Sequence, residues 1–179
     1  AGSSVFTAII AGVFEEYRSR SDAAFDLEGF VAKTNVILFR LGKLQWHATM
    51  MASRFVKGSD TLDVVMAGHP LPFIRTPKGM ANIVFPASQA LGLDPEFKVV
   101  LHKVPFAAGA SLLVFTDGLV EAANPTGKMF GRKKIKDQFQ KGPEVPHQAL
   151  EDLISNWKTY LDGTPPNDDV CVIALKALA

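Results

Sequence analysis

Apolar residues recur at every third or fourth position in two stretches near the start of the chain. This spacing places them on one face of a helix, so we predict helices over residues 3–19 and 27–40. A serine can cap the first helix, and Asp26 can cap the second. Gly42 follows the second stretch and is a natural stop for that helix.

From about Trp46 onwards the apolar period shortens towards two, which is typical of β-strands. Polar turns at 57–60 and 77–79 separate the apolar stretches, so consecutive strands are expected to pair antiparallel. The predicted strands are 47–56, 61–66, 73–76, 81–85, 97–104 and 111–115.

The last part of the chain returns to helical spacing between Leu150 and Leu161, which predicts another helix. An apolar run at 170–175 then predicts a final strand, central in its sheet. Helices, an antiparallel run, and a last helix and strand together indicate the α+β class. Because no linker or repeat interrupts this order, we expect a single domain over residues 1–179.

Composition and charge restrict the classes of function. Hydrophobic residues make up 47% of the 179 residues and charged residues 21%, a balance typical of globular proteins. The net charge of +1 provides no global field for nucleic acid or an anionic membrane surface, so no nucleic-acid partner is predicted. A local basic cluster at 128–136 is interpreted as a solvated helix face.

Apolar runs and cysteine content indicate the compartment. No stretch of eighteen or more apolar residues is present and the N-terminus does not resemble a signal peptide, so we expect no membrane insertion and a cytoplasmic location. Cys171 is the only cysteine and stands in an apolar run, so we predict a buried thiol in a reducing compartment.

Acidic residues stand at the ends of two predicted strands. Asp117 follows one strand, and Asp168 and Asp169 precede the last. Carboxylates held at strand ends can coordinate Mg²⁺ or Mn²⁺, which prefer oxygen ligands. The alternative is that both sites are only turns, in which Asp-Gly and Asn-Asp are common. His69, in a Gly/Pro turn, is interpreted as a loop residue and not as a ligand or general acid.

A longer motif surrounds the first of these sites. The sequence Phe-Thr-Asp-Gly-Leu-Val-Glu-Ala-Ala-Asn-Pro at 115–125, followed by Met-Phe-Gly at 129–131, resembles the signature of SpoIIE/RsbU-like phosphatases of the PPM class. Ala-Gly-His-Pro-Leu-Pro at 67–72 and Leu-Gly-Leu at 91–93 precede it, and Asp-Asp-Val at 168–170 follows. The four motifs stand in the family's order, and the resemblance covers essentially the whole chain.

The resemblance implies a fold and a chemistry. The fold would be an α-β-β-α sandwich of two antiparallel sheets flanked by helices, with a dinuclear Mn²⁺ or Mg²⁺ centre at one edge. Asp117 and Asp168 would be metal ligands. Asp169 is a third candidate metal ligand, although its neighbouring place in the motif favours hydrogen bonds to nearby groups. A metal-activated water would hydrolyse phosphoserine or phosphothreonine without a covalent enzyme intermediate.

The resemblance also implies two further motifs, a Gly-Asp motif and a second Asp/Gly motif, on strands before residue 1. Residues 1–179 do not contain them, so we expect this chain to be inactive or nearly so, since a two-metal centre needs more ligands. Sheet edges left without those strands are expected to pair with a second copy as a homodimer, or with another partner.

Two functions are open at this point. The first is a phosphatase acting on a phosphorylated protein, in relatives often an anti-sigma-factor antagonist of a partner-switching pathway, under the control of an upstream sensor or receiver domain. The second is a catalytically inactive pseudophosphatase that binds a signalling partner through the early helices and the loop at 124–136.

Overall fold

The computed structural model of the protein describes residues 2–20, 25–43 and 45–178. The helices in these residues are α1 Gly2–Ser19, α2 Leu27–Gly42, α3 Asp117–Glu121, α4 Gly131–Lys141 and α5 Pro146–Leu161. The strands are β1 Met50–Phe55, β2 Thr61–Ala67, β3 Phe73–Thr76, β4 Gly79–Met80, β5 Leu101–Pro105, β6 Ser111–Phe115 and β7 Val172–Lys176.

The chain divides into two compact units. The first unit comprises residues 1–69 and 84–104, and the second comprises residues 70–83 and 105–179. Each unit contains one antiparallel sheet and its own helices, which confirms the predicted α+β class with two antiparallel sheets. The expectation of one domain over residues 1–179 stays a prediction.

In the first unit, helices α1 and α2 pack together and α2 lies against the sheet. The side chain of Asp26 accepts a hydrogen bond from the backbone N–H of Gly29 at 2.9 Å, which confirms the predicted cap of α2. The helix ends at Gly42, but the left-handed residue that follows is Lys43. The serines at positions 3 and 4 lie inside the first turn of α1, and the position before the helix is outside the described residues.

The sheet of the first unit has the strand order β1-β2-β5. Its hairpin pairs Met50 with Ala67 and Phe55 with Leu62, around the turn predicted at 57–60. Strand β2 is buried along nearly its whole length, so it forms the centre of this unit. The buried apolar cluster around it consists of Val13, Leu27, Phe30, Val31, Leu38, Ala52, Val65, Ala67 and Leu91.

The sheet of the second unit has the strand order β4-β3-β6-β7. Strand β6 pairs with β3 through Phe73 and Leu113, and with β7 through Phe115 and Val172. Helices α4 and α5 cover one face of this sheet, where the buried cluster consists of Leu113, Phe115, Leu119, Ala122, Phe130, Ile135, Phe139, Leu153, Trp157 and Leu161. The strand that precedes Asp117 is therefore fixed on both sides.

Three predictions about strands were wrong. Residues 81–85 form no strand, because the chain passes from one unit to the other between Ile83 and Val84. The strand predicted at 97–104 begins only at Leu101. Strand β7 lies at the edge of the sheet that the described residues form, not at its centre, and its side chains alternate between half-buried and exposed.

The prediction of a buried thiol at Cys171 was also wrong. Cys171 is exposed, because it precedes an edge strand and its apolar neighbours do not all face the core. Among the residues that the structure describes, no helix combines the length and the apolar character needed to cross a bilayer.

Candidate metal centre

The end of β6 is tied to the segment before β7 by the backbone. Thr116 is extended, with φ −80° and ψ 162°, and stands as the cap of the short helix α3. Its N–H donates a hydrogen bond of 3.0 Å to the carbonyl oxygen of Cys171. Asp117 is the first residue of α3, so it projects from the point where this contact ends the strand.

The hydroxyl group of Thr116 makes two more bonds to the same segment. It donates to the carbonyl oxygen of Asp169 at 3.1 Å and accepts from the N–H of Cys171 at 3.0 Å. A single side chain therefore satisfies two backbone groups of the 168–171 segment and holds it against the end of β6.

Gly118 allows the closest approach between the two segments. A Cβ atom on this residue would lie less than 3.0 Å from the carbonyl oxygen of Asp169 and 3.2 Å from that of Asp168. Carbon and oxygen atoms do not approach so closely without displacing one another. Glycine is thus required at this position by space, because its backbone lies directly against the backbone of Asp168 and Asp169.

The three predicted carboxylates are exposed. Asp117 Oδ1 accepts from the N–H of Gly118 at 3.1 Å, and Asp168 Oδ1 accepts from the N–H of Asp169 at 2.7 Å. Each of these carboxylates is oriented by a local backbone bond and retains oxygen lone pairs that can bind a cation. The hydrogen bonds of Asp169 run through its backbone, so the role predicted for its side chain stays a prediction.

The candidate ligands have the donor atoms that a hard divalent cation prefers, but they are too few to complete its coordination shell. Carboxylate oxygens are the ligands that Mg²⁺ and Mn²⁺ prefer, and such ions keep several waters. The described residues contain no group of three or more His, Cys, Asp and Glu side chains placed to hold a metal ion. Asp117 and Asp168 can therefore supply part of a coordination shell from two neighbouring segments.

The loop after α3 is held by the core of the second unit. The indole N–H of Trp157 donates to the carbonyl oxygen of Leu119 at 3.2 Å, and the hydroxyl of Tyr160 donates to the carbonyl oxygens of Lys128 and Met129. Asn124 Oδ1 accepts bonds from the N–H groups of Thr126 and Lys128 within the turn. These hydrogen bonds tie residues 119–129, which follow Asp117 in the motif, to helix α5 and to one another.

His69 belongs to the first unit, where its Nδ1 lies 3.3 Å from Thr49 Oγ1. This hydrogen bond agrees with the interpretation of His69 as a loop residue. The basic cluster at 128–136 is only partly a solvated face. Lys133 is exposed, but Arg132 and Lys134 lie over aromatic rings.

Sequence reasoning missed the two residues that position the site. Thr116 and Gly118 flank Asp117 in the motif, but the roles of the hydroxyl and of the absent Cβ depend on the 168–171 segment, about fifty residues away. The sequence did contain a signal for Thr116, which stands between a predicted buried strand and an Asp-Gly pair. Threonine hydroxyls in such places commonly form hydrogen bonds with backbone groups.

The structure is similar to solved phosphatase domains. It matches the SiaA-PP2C domain of Pseudomonas aeruginosa with a TM-score of 0.79 and 16% identity, over 96% of this chain and 69% of that one. It matches the phosphatase domain of SpoIIE from Bacillus subtilis, presoaked with Mn, with a TM-score of 0.60 and 15% identity, over 97% and 73% of the two chains. These similarities show that the fold is that of PP2C phosphatases.

Among curated proteins, Protein IcfG of Synechocystis sp. is 23% identical over 134 residues. The match covers 75% of this chain but only 21% of the length of that relative. The family model for Stage II sporulation protein E (SpoIIE) matches residues 1–178. On this match over nearly its whole length, together with the motifs around Asp117 and Asp168, the chain belongs to the SpoIIE family.

Proposed function

We propose that this chain is a metal-dependent protein phosphatase domain in which Asp117 and Asp168 bind the same Mn²⁺ or Mg²⁺ centre. The observation that carries the proposal is the contact of Gly118 with the backbone of 168–169. This contact supports the proposal, because it joins the backbones of two segments that are distant in the sequence and that each carry exposed carboxylates, and a cation site needs such oxygen ligands. Membership of the SpoIIE family and the PP2C fold support the same activity.

Each residue of the site has a separate role in the proposed enzyme. Asp117 and Asp168 hold the ion through exposed oxygens, and their local N–H bonds limit the rotation of each carboxylate. Thr116 fixes the distance between the two segments. Asp169 stands beside Asp168 and is expected to orient it or to hydrogen-bond to groups around the ion.

Bound divalent ions would supply a nucleophilic water at neutral pH and neutralise charge on the phosphoryl oxygens. The residues of the chain would contribute to catalysis by holding the ions and the substrate in place, because groups that are already fixed lose little conformational freedom when the substrate reacts. A dinuclear centre needs more ligands than Asp117 and Asp168 provide, so further oxygen ligands complete it in the proposed enzyme.

Membership of the SpoIIE family supports a class of substrate. We infer that the whole protein dephosphorylates phosphoserine or phosphothreonine on a signalling protein, such as an anti-sigma-factor antagonist. A sensor or receiver domain in the whole protein would regulate the phosphatase activity by changing the fraction of molecules in which the metal site is complete. If deletion of such a domain leaves the activity unchanged, this regulation is contradicted.

The test is Mn²⁺-dependent phosphate release by the whole protein from a phosphoserine peptide. We expect Asp117→Asn and Asp168→Asn each to lower kcat/KM by at least about a hundredfold, since even the hydrogen-bonding partners of metal ligands contribute 10–100-fold. Asp152→Asn is the matched control, because Asp152 is an exposed carboxylate on α5. Equal activity in all three variants would reject the assigned ligands.

The second function open to this chain is that of a pseudophosphatase, which would bind a phosphorylated partner without hydrolysing it. A whole protein that folds and binds its phosphorylated partner, yet releases no phosphate with either Mn²⁺ or Mg²⁺, would support this alternative over the enzyme.

A further inference from the structure

Arg132, in the first turn of α4, lies over two aromatic rings of the second unit. Its guanidinium carbon is 4.8 Å from the ring centre of Phe73 and 5.2 Å from that of Phe115. The side chain is half-buried, and this burial lowers the pKa of Arg132. The guanidinium nevertheless stays charged at neutral pH, as arginine does in proteins.

The guanidinium of Arg132 uses little of its hydrogen-bonding capacity. Nη2 donates to the carbonyl oxygen of Leu71 at 2.7 Å, whereas the group carries five N–H donors. Within the part of the chain that the structure describes, no carboxylate forms an ion pair with Arg132. A partly desolvated cation without an anionic partner is unfavourable unless a partner arrives.

Arg75 shows what a purely structural arginine looks like in the same unit. Its guanidinium also lies over a ring, that of Phe139 at 5.0 Å. Unlike Arg132, it donates to three carbonyl oxygens, those of Phe139, Gly142 and Pro143, at 2.7 to 2.9 Å. Arg75 thus fixes the end of α4, while Arg132 keeps donors available for a ligand.

The position of Arg132 relates these donors to the candidate metal centre. Phe115, beneath the guanidinium, is the last residue of β6. Thr116 and Asp117 follow it directly, and Thr116 holds the 168–171 segment. The guanidinium of Arg132 therefore lies over the side chain of the strand residue that immediately precedes Thr116 and Asp117.

We propose that Arg132 binds an oxyanion of the phosphorylated substrate, either the phosphoryl group or the carboxylate of a residue that flanks it. This inference rests on the proposed function, because cations bound at the aspartates would remove their repulsion of an anion. The planar fork of a guanidinium matches the paired oxygens of phosphate and carboxylate. Stacking on Phe73 and Phe115 holds the fork in place before the substrate binds.

The test compares Arg132→Met with Lys136→Met in the whole protein with Mn²⁺. Lys136 lies on the same helix and is exposed, so the control removes the same charge from a place outside the proposed oxyanion site. Three substrates are used: p-nitrophenyl phosphate, a phosphoserine peptide with neutral flanking residues, and the same peptide with acidic flanking residues.

A higher KM of Arg132→Met for all three substrates, by about ten- to a hundredfold as for a charged hydrogen bond, would assign Arg132 to the phosphoryl group. A higher KM for the acidic peptide alone would assign it to the flanking carboxylate. In both cases kcat should change much less than KM. Unchanged KM for every substrate, or an equal change in Lys136→Met, would overturn the proposal.

Fluorescence anisotropy of the labelled phosphopeptides separates this inference from the proposed function, because it needs no turnover. If the whole protein releases no phosphate, weaker peptide binding by Arg132→Met than by Lys136→Met still supports the oxyanion site, and equal binding rejects it. If Arg132→Met does not fold, Arg132→Lys replaces it, because lysine keeps the positive charge and most of the aliphatic chain but lacks the planar guanidinium. Its peptide binding is then compared with that of Lys136→Met in the same way.

Discussion

Gly118 and Asp169 are in such close contact that a Cβ atom on the glycine would come within 3.0 Å of the aspartate's carbonyl oxygen. The two residues belong to segments about fifty positions apart, and both segments carry carboxylates that point to a metal site. The contact therefore holds the backbone beside Asp117 against the backbone of Asp168 and Asp169. Its disruption is expected to affect stability and metal binding together.

Gly118→Ala is predicted to destabilise the protein by about 1–3 kcal/mol, the usual effect of an added group in a packed site. The new methyl group must displace the backbone of 168–169, so Mn²⁺-dependent activity should also fall. Urea denaturation and phosphate release measure the two effects.

Gly12→Ala is the control for the glycine substitution. A Cβ at Gly12 meets nothing within 4 Å, and the residue lies in α1. Its replacement should stabilise the helix by up to about 1 kcal/mol and leave activity unchanged. Similar behaviour of the two variants would contradict the contact proposed for Gly118.

Thr116→Val is predicted to cost about 0.5–1.5 kcal/mol of stability, the net contribution of an ordinary hydrogen bond. The substitution keeps the shape of the side chain but leaves the carbonyl of Asp169 and the N–H of Cys171 without the hydroxyl. Thr116→Ser should retain most of the stability and the Mn²⁺ affinity, because the hydroxyl remains. Indistinguishable Val and Ser variants, compared by urea denaturation and Mn²⁺ titration, would show that the hydroxyl does not hold the segment.

Asn35→Ala is predicted to lower the free energy of unfolding by at least about 2 kcal/mol, since it leaves two backbone groups unpaired. The buried side chain of Asn35 accepts from the N–H of Gly92 and donates to the carbonyl oxygen of Asp94, both at 2.8 Å. It thereby joins α2 to the 91–94 turn. Hydrogen exchange should quicken at Gly92, and unchanged exchange there would contradict the role of Asn35.

Acidification is predicted to weaken the first unit through Asp63. A hydrogen bond from Arg54 holds the pKa of the buried Asp63 carboxyl below its usual value, with Lys103 contributing. A carboxyl with a lowered pKa in the folded state stabilises the fold above its unfolded pKa of about 4, and this contribution disappears as the pH falls through the lower folded value.

Asp63→Asn tests this pH dependence. The variant should be less stable than the original chain at pH 7, and the difference should shrink as the pH falls below about 4. Thermal unfolding measured between pH 7 and pH 2 provides the comparison. A constant difference in Tm across that range would mean that the ionised form of Asp63 contributes nothing specific.

The parts of the fold that the sequence predicts well are those whose pattern and turns agree. Strands 73–76 and 111–115 were predicted with the observed bounds, because their apolar residues end at polar or glycine-containing turns. Residues 81–85 have the same β-branched and aromatic character but form no ladder, since strand propensity cannot show that a chain is crossing between units.

Edge position and long-range contact set the other limits of prediction. The apolar run at 170–175 was predicted to be central, yet Ile173 and Leu175 are each about half exposed, at 49% and 48%. A continuous apolar run does not reveal whether a second strand pairs beyond it. The candidate aspartates could be selected from their motifs, whereas Thr116, Gly118 and Arg132 gain their roles only from residues distant in the sequence.

The Mn²⁺ affinity of the whole protein, compared among Asp117→Asn, Asp168→Asn and the double variant, shows whether the two carboxylates bind one metal centre. If both carboxylates bind one centre, each single substitution should weaken Mn²⁺ binding by about tenfold or more, and the two losses should not add. Unchanged Mn²⁺ affinity in both single variants would contradict the proposed metal centre.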